Sequence, residues 1–79
     1  MKKTETLNKL TTIFRNLFND NSLILTNEIT ANDVQNWDSL THMLLITEIE
    51  NNFSIKFKLK DLNKMRNVGD MVDIIISKL

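Results

Sequence analysis

A carboxylate and a hydroxyl stand side by side at Asp38-Ser39, midway along a chain of 79 residues. Trp37 precedes them and an apolar-rich run, Leu40 to Phe53, follows. That run reads as a helix. Asp38 or Ser39 can cap it, because a short side-chain oxygen at a helix start accepts a hydrogen bond from an orphan N–H. A hydroxyl at a helix mouth is reachable, and the positive end of the helix dipole favours a phosphate attached nearby. Asp38 beside it can hold a divalent cation during phosphoryl transfer, since hard cations prefer carboxylate oxygen. The plainer reading of Asp-Ser before an apolar run is an N-cap and nothing more. Hydrolysis finds no support, because a serine nucleophile needs a base held beside it. The one histidine, His42, falls on the core side of the helix. A packed or hydrogen-bonded ring is the ordinary outcome there.

Composition narrows the chemistry further. The length allows one domain over residues 1–79 with a small core. Cysteine is absent, so disulfides, thiolate metal sites and cysteine nucleophiles are excluded. Net charge is zero and the balance is local: four basic and four acidic residues precede Asp38, six and six follow from it onward. No global positive field exists for nucleic acid. Met1-Lys2-Lys3 opens like a signal peptide, but Asn8, Lys9, Arg15 and Asn16 interrupt the apolar residues behind it. No stretch approaches the roughly twenty apolar residues that span a bilayer. The expectation is a cytoplasmic, free-standing monomer.

Four helices would have to position Asp38 and Ser39. Leu7, Leu10, Ile13 or Phe14, and Leu17 recur at helical spacing, which predicts a first helix at about residues 5–19, capped by Thr4. Asn19-Asp20-Asn21-Ser22 stops it, because these side chains compete for backbone hydrogen bonds. A long connection, residues 20–38, follows. Leu23, Leu25, Ile29 and Val34 are expected to pack it down, with a short turn at 30–33 and Trp37 as its buried anchor. The second helix is expected at about 39–52. Residues 53–60 alternate apolar and polar like a strand, yet a lone strand has no partner in so helical a chain. The stretch is therefore read as a loop, Ile55 and Phe57 inward, leading into a short third helix at about 60–65. Asn67 caps a fourth at about 68–78, with Val68, Met71, Val72, Ile75 and Leu79 facing inward. The lysines at 56, 58, 60 and 64 with Arg66 read as a solvated face, since no aromatic platform is interleaved for single-stranded nucleic acid.

On a wheel of the second helix, His42, Leu45, Ile46, Ile49 and Phe53 form one stripe. Leu40, Met43 and Leu44 fall outside it, next to Ser39. Three clustered apolar residues turned away from a core suggest a docking surface.

Asp38-Ser39-Leu40, with Trp37 before and Ile49-Glu50 and Phe53 after, resembles the core motif of the acyl carrier protein family. The likeness extends over nearly the whole chain. It implies an all-α four-helix bundle with three longer helices, a short third one, and a long loop between the first two. It implies that Ser39 carries 4'-phosphopantetheine through a phosphodiester, placed by a phosphopantetheinyl transferase with magnesium, and that Asp38 helps position metal and phosphates. Acyl or aminoacyl groups would then ride as thioesters, loaded by one enzyme and passed to a downstream synthase or transferase; the chain itself would be no enzyme. Fatty acid, polyketide, peptide and cell-wall aminoacylation pathways all use such carriers. Family members dock partners through the second helix and are usually strongly acidic. Here the acids on that helix are thinned to Asp38, Glu48 and Glu50, while Thr41, Leu44, Asn51 and Asn52 stand where relatives commonly carry acid. The partner surface expected is Leu40, Met43, Leu44 and Glu48, more apolar than is usual. Together with Trp37, this points to a specialised rather than a housekeeping carrier. The alternative from the residues alone is a cofactor-free helical interaction module that uses the same Leu40/Met43/Leu44 patch.

Overall fold

The structure, a computed structural model, describes residues 2–79. Its elements are α1 (Lys3–Leu17), α2 (Ser39–Phe53), α3 (Leu59–Leu62) and α4 (Val68–Lys78), with no strand among the described residues. α1 packs against both α2 and α4. The apolar stripes meet between them: Leu10, Phe14, Leu45, Ile49, Val68, Met71 and Ile75 are fully enclosed. Ile13, Phe53 and Val72 extend the same core. Truncating any one large member of this set to alanine should cost about 2–5 kcal/mol, through lost transfer energy plus the cavity left behind.

α1 begins and ends two residues earlier than the sequence suggests. Thr4 lies inside the helix instead of capping it, and Lys2 occupies the cap position without a side-chain hydrogen bond. The buried Thr6 hydroxyl turns back to donate to the Lys2 carbonyl at 3.1 Å, which satisfies it inside the first turn. At the other end Asn19 takes a left-handed conformation, φ 52°. The Asp20 N–H then folds back onto the Arg15 carbonyl at 3.0 Å. That is a Schellman-type stop, and asparagine tolerates the conformation better than most residues.

The long connection is held by named contacts. Arg15 Nε donates to the Leu23 carbonyl at 2.8 Å. Leu25, Val34 and Trp37 are buried. A turn at 30–33 is closed by the Asp33 carboxylate, which accepts from the Thr30 N–H at 2.9 Å. Further along, the Val68 and Gly69 N–H groups, two of the orphan donors at the start of α4, bond the Ile29 and Asn27 carbonyls at 2.9 Å each. Gly69 is what permits that approach. A Cβ there would stand 3.1 Å from the Asn27 oxygen and 3.2 Å from the Asn27 Cβ.

After α2, Ser54 adopts a left-handed C-cap and the Ile55 N–H returns to the Glu50 carbonyl at 3.2 Å. Ile55 is then buried and Phe57 partly so, with Lys56 and Lys58 in solvent. The alternation in the sequence is thus an extended loop with one face on the core, without a ladder. α3 is a single turn and stops at Leu62, short of the expected residue 65. Residues 63–66 descend in tight turns, the Lys64 and Met65 N–H groups reaching back three residues. The Asp61 carboxylate anchors α3 twice, accepting from the Lys58 N–H at 2.8 Å and pairing with Lys78 Nζ of α4 at 2.8 Å. Those bonds hold its acid strength above that of a free aspartate.

Candidate functional site

The start of α2 is built by a reciprocal cap. Asp38 is extended, φ −126°, and its Oδ1 accepts from the Thr41 N–H at 3.0 Å. In return Thr41 Oγ1 accepts from the Asp38 N–H at 2.8 Å. The same hydroxyl donates to the Asn36 carbonyl at 2.7 Å, and Asn36 itself holds φ 70°. Together these bonds fix the turn into the helix. Hydrogen bonding from Thr41 keeps the Asp38 carboxyl below the ordinary aspartate pKa.

Asp38, then, is the cap. Ser39 is the first residue of the helix, is exposed, and its hydroxyl takes part in none of the hydrogen bonds among the described residues. The structural task that Asp-Ser can perform is discharged by the aspartate alone. That leaves the serine without a role in the fold.

Trp37 sets the position of the pair from below. It is 8% exposed and meets Phe14 edge-on at 5.1 Å and Phe18 at 6.2 Å between ring centroids. Its indole N–H donates to His42 Nδ1 at 3.0 Å, and the two rings stack at 6.0 Å with 16° between planes. His42 therefore serves as the acceptor that satisfies a buried indole. Burial lowers its pKa. The bond needs the Nδ1 lone pair, so the ring is neutral, with its proton on Nε2.

Beside Ser39 runs a groove of about 530 Å3. Trp37, Asp38, Ser39, His42 and Met43 form one wall, and Ala31, Met65 and Arg66 line the remainder. Leu40, Met43 and Leu44 are 72%, 54% and 49% exposed, as the helical wheel suggests. Of the acids on this helix, Asp38 is engaged in the cap and Glu50 accepts from the Phe57 N–H at 2.8 Å. The Glu48 carboxylate takes part in no hydrogen bond among the described residues and is exposed, beside a second groove that it lines with Lys9, Ile13 and Leu17 of α1. No cluster of three or more acidic or histidine side chains suited to a metal occurs among the described residues.

Two site residues escaped the sequence reading. Thr41 is one; the spacing Asp38-x-x-Thr41 is a capping-box pattern and was a usable signal. Arg66 is the other; it reaches the groove only through the tertiary path of residues 63–66, which no local pattern discloses.

No family model and no curated protein sequence matches the chain. A solved structure does: the solution structure of a holo acyl carrier protein from Geobacter metallireducens, 51% identical, TM-score 0.88, over 92% of this chain and 84% of that one. With the helical order, the long tethered loop and the capped Asp38-Ser39 corner already in place, that degree of identity settles the family: the chain belongs to the acyl carrier proteins and is a carrier, not an enzyme.

Proposed function

We propose that Ser39 is the attachment point for 4'-phosphopantetheine and that this protein carries acyl or aminoacyl groups between partner enzymes. The observation that carries the proposal is the division of labour at the start of α2: Asp38 caps, and the Ser39 hydroxyl is left exposed and unbonded. Half of the residues are shared with a protein whose structure was solved in its holo form. The residues present fit the group. The hydroxyl is reachable from solvent, the helix mouth favours an attached phosphate, and an adjoining groove offers both polar and apolar walls.

Attachment forms a bond from Ser39 Oγ to the pantetheine-side phosphorus of coenzyme A. The bond from that phosphorus to the oxygen bridging to adenosine 3',5'-bisphosphate breaks, and the serine proton goes to a base on the transferase. Asp38 would be the residue of this chain to hold magnesium, which would offset the phosphate charge during transfer. Its Oδ1 accepts from the Thr41 N–H, and its second oxygen is outside that bond. When bound, the group supplies a terminal thiol that holds cargo as a thioester on a long arm. Tethering gives that cargo a high effective concentration at a docked partner's site.

Leu40, Met43 and Leu44, with Glu48 at the margin, are the docking face for the transferase, the loading enzyme and the downstream synthase or transferase. With two of the three acids on α2 tied to backbone groups, that face attracts partners by apolar burial more than by charge. This character and the Trp37 corner support a specialised pathway carrier, acting as a cytoplasmic monomer.

Intact mass tests the proposal. Purified protein, coenzyme A, magnesium and a broad-specificity transferase should yield a gain of one phosphopantetheine, and Ser39→Ala none. No gain by folded protein with several transferases would overturn it in favour of a cofactor-free module.

A further inference from the structure

The groove beside Ser39 has one cationic wall. Arg66 lines it together with Ser39, Asp38 and His42. His42 contributes no charge there, since its Nδ1 is committed to the Trp37 indole as an acceptor. Asp38 is ionised and contributes a negative one. A phosphodiester on Ser39 would add a second negative charge to the same small space. Two like charges held close on one surface repel, and a guanidinium lining the same groove can offset the added one.

Arg66 is also pre-oriented. Its Nε stands 3.5 Å from Asp70 Oδ2, and its backbone N–H donates to the same oxygen at 3.1 Å. Asp70 is fixed in turn, because its own N–H bonds the Asn67 cap at 2.8 Å. The pairing engages the inner edge of the guanidinium and leaves the two terminal amino groups unassigned. Those are the atoms that arginine offers bidentately to phosphate oxygen. The side chain is otherwise in solvent, so nothing in the core depends on it.

Resting on the reading of Ser39 as the attachment point, we infer that Arg66 is the positioning residue for the attached phosphodiester. It clasps the phosphate from across the groove and lays the first part of the arm between Trp37 and Met65.

The test is phosphorus NMR on enzymatically loaded protein, with intact mass measured on every sample. Four proteins are compared: wild type, Arg66→Gln, Arg66→Lys and Asp70→Asn. The wild-type phosphorus line should be displaced from, and broader than, that of Arg66→Gln, whose phosphate tumbles more freely. Arg66→Lys should recover most of the displacement, because it keeps the charge. Asp70→Asn should fall between wild type and Arg66→Gln, because it removes the charge that orients the guanidinium and keeps the guanidinium itself. Raising salt to about 1 M, where screening acts within a few ångströms, should move the wild-type line toward that of Arg66→Gln. Superimposable lines for fully loaded wild type and Arg66→Gln would overturn the inference and leave the Ser39 assignment standing. Absence of any mass gain would overturn the Ser39 assignment, and this inference with it.

Discussion

α2 and α4 begin with the same device and put it to opposite ends. In each, a short polar side chain caps by accepting from an N–H three residues on: Asp38 from Thr41 and Asn67 from Asp70. The residue after the cap is then Ser39 in one and Val68 in the other. Val68 is fully buried, and its N–H, with that of Gly69, is bonded by the long connection. Ser39 is exposed and its hydroxyl unengaged. The local motif is shared. What differs is whether another segment covers the helix start, and an uncovered start with an exposed hydroxyl at its first position is what the proposed attachment at Ser39 requires.

The largest contrast should come from truncating the two residues that follow the caps. Ser39→Ala should abolish phosphopantetheine loading by mass while changing folding stability by no more than about 0.5 kcal/mol, the usual range for a surface position. Val68→Ala should do the reverse, with loading intact and a loss on the order of 2 kcal/mol in urea denaturation. Loading by the Ser39→Ala protein would break the comparison outright.

Next in size is the support beneath Ser39. Trp37→Ala should cost about 3–5 kcal/mol in denaturation, since it removes a large buried ring packed on Phe14 and Phe18. The caps themselves sharpen the contrast. Asp38→Ala and Asn67→Ala should each lose about 1 kcal/mol, the ordinary value of an N-cap. Only Asp38→Ala should also slow loading, measured as the initial rate of mass gain. Equal loading rates for the two would confine Asp38 to a structural part.

The smallest effect is one of pH. The folded state holds His42 below its ordinary pKa, so the unfolded chain binds the proton more readily. Stability should therefore be level above about pH 6.5 and decline as pH falls from there through the folded value. Urea midpoints measured from pH 8 to pH 5 should show this slope, and His42→Gln should flatten it. Asp38 and Asp61, whose pKa values are lowered by hydrogen bonds, act in a separate window. Their contribution is present above about pH 4 and is lost as pH falls through their folded values.

Much of this was readable from residue order, and the exceptions have physical causes. The stripe of α2 was legible because Leu45, Ile46, Ile49 and Phe53 repeat at helical spacing and every one is buried. Trp37 was legible as an anchor, since a large indole at a loop's end has few other uses. Its partner was not, because the bond to His42 depends on ring orientations that only the folded corner sets. Thr4 misled as a cap: a threonine before an apolar repeat carries the same signal whether it starts the helix or lies inside it. α3 came out shorter because residues 63–66 must descend to reach the Asn67 cap. That constraint lies between elements and not within one.

Trp37 is the chain's only tryptophan; it stacks on His42, and both rings line the groove beside Ser39. Its emission is therefore an optical probe already in place. Whatever enters the groove changes the polarity beside the indole, and a protonated imidazole stacked on it quenches it. Attachment, cargo and acidification can each be followed by the light of a single residue, with no dye added to the protein.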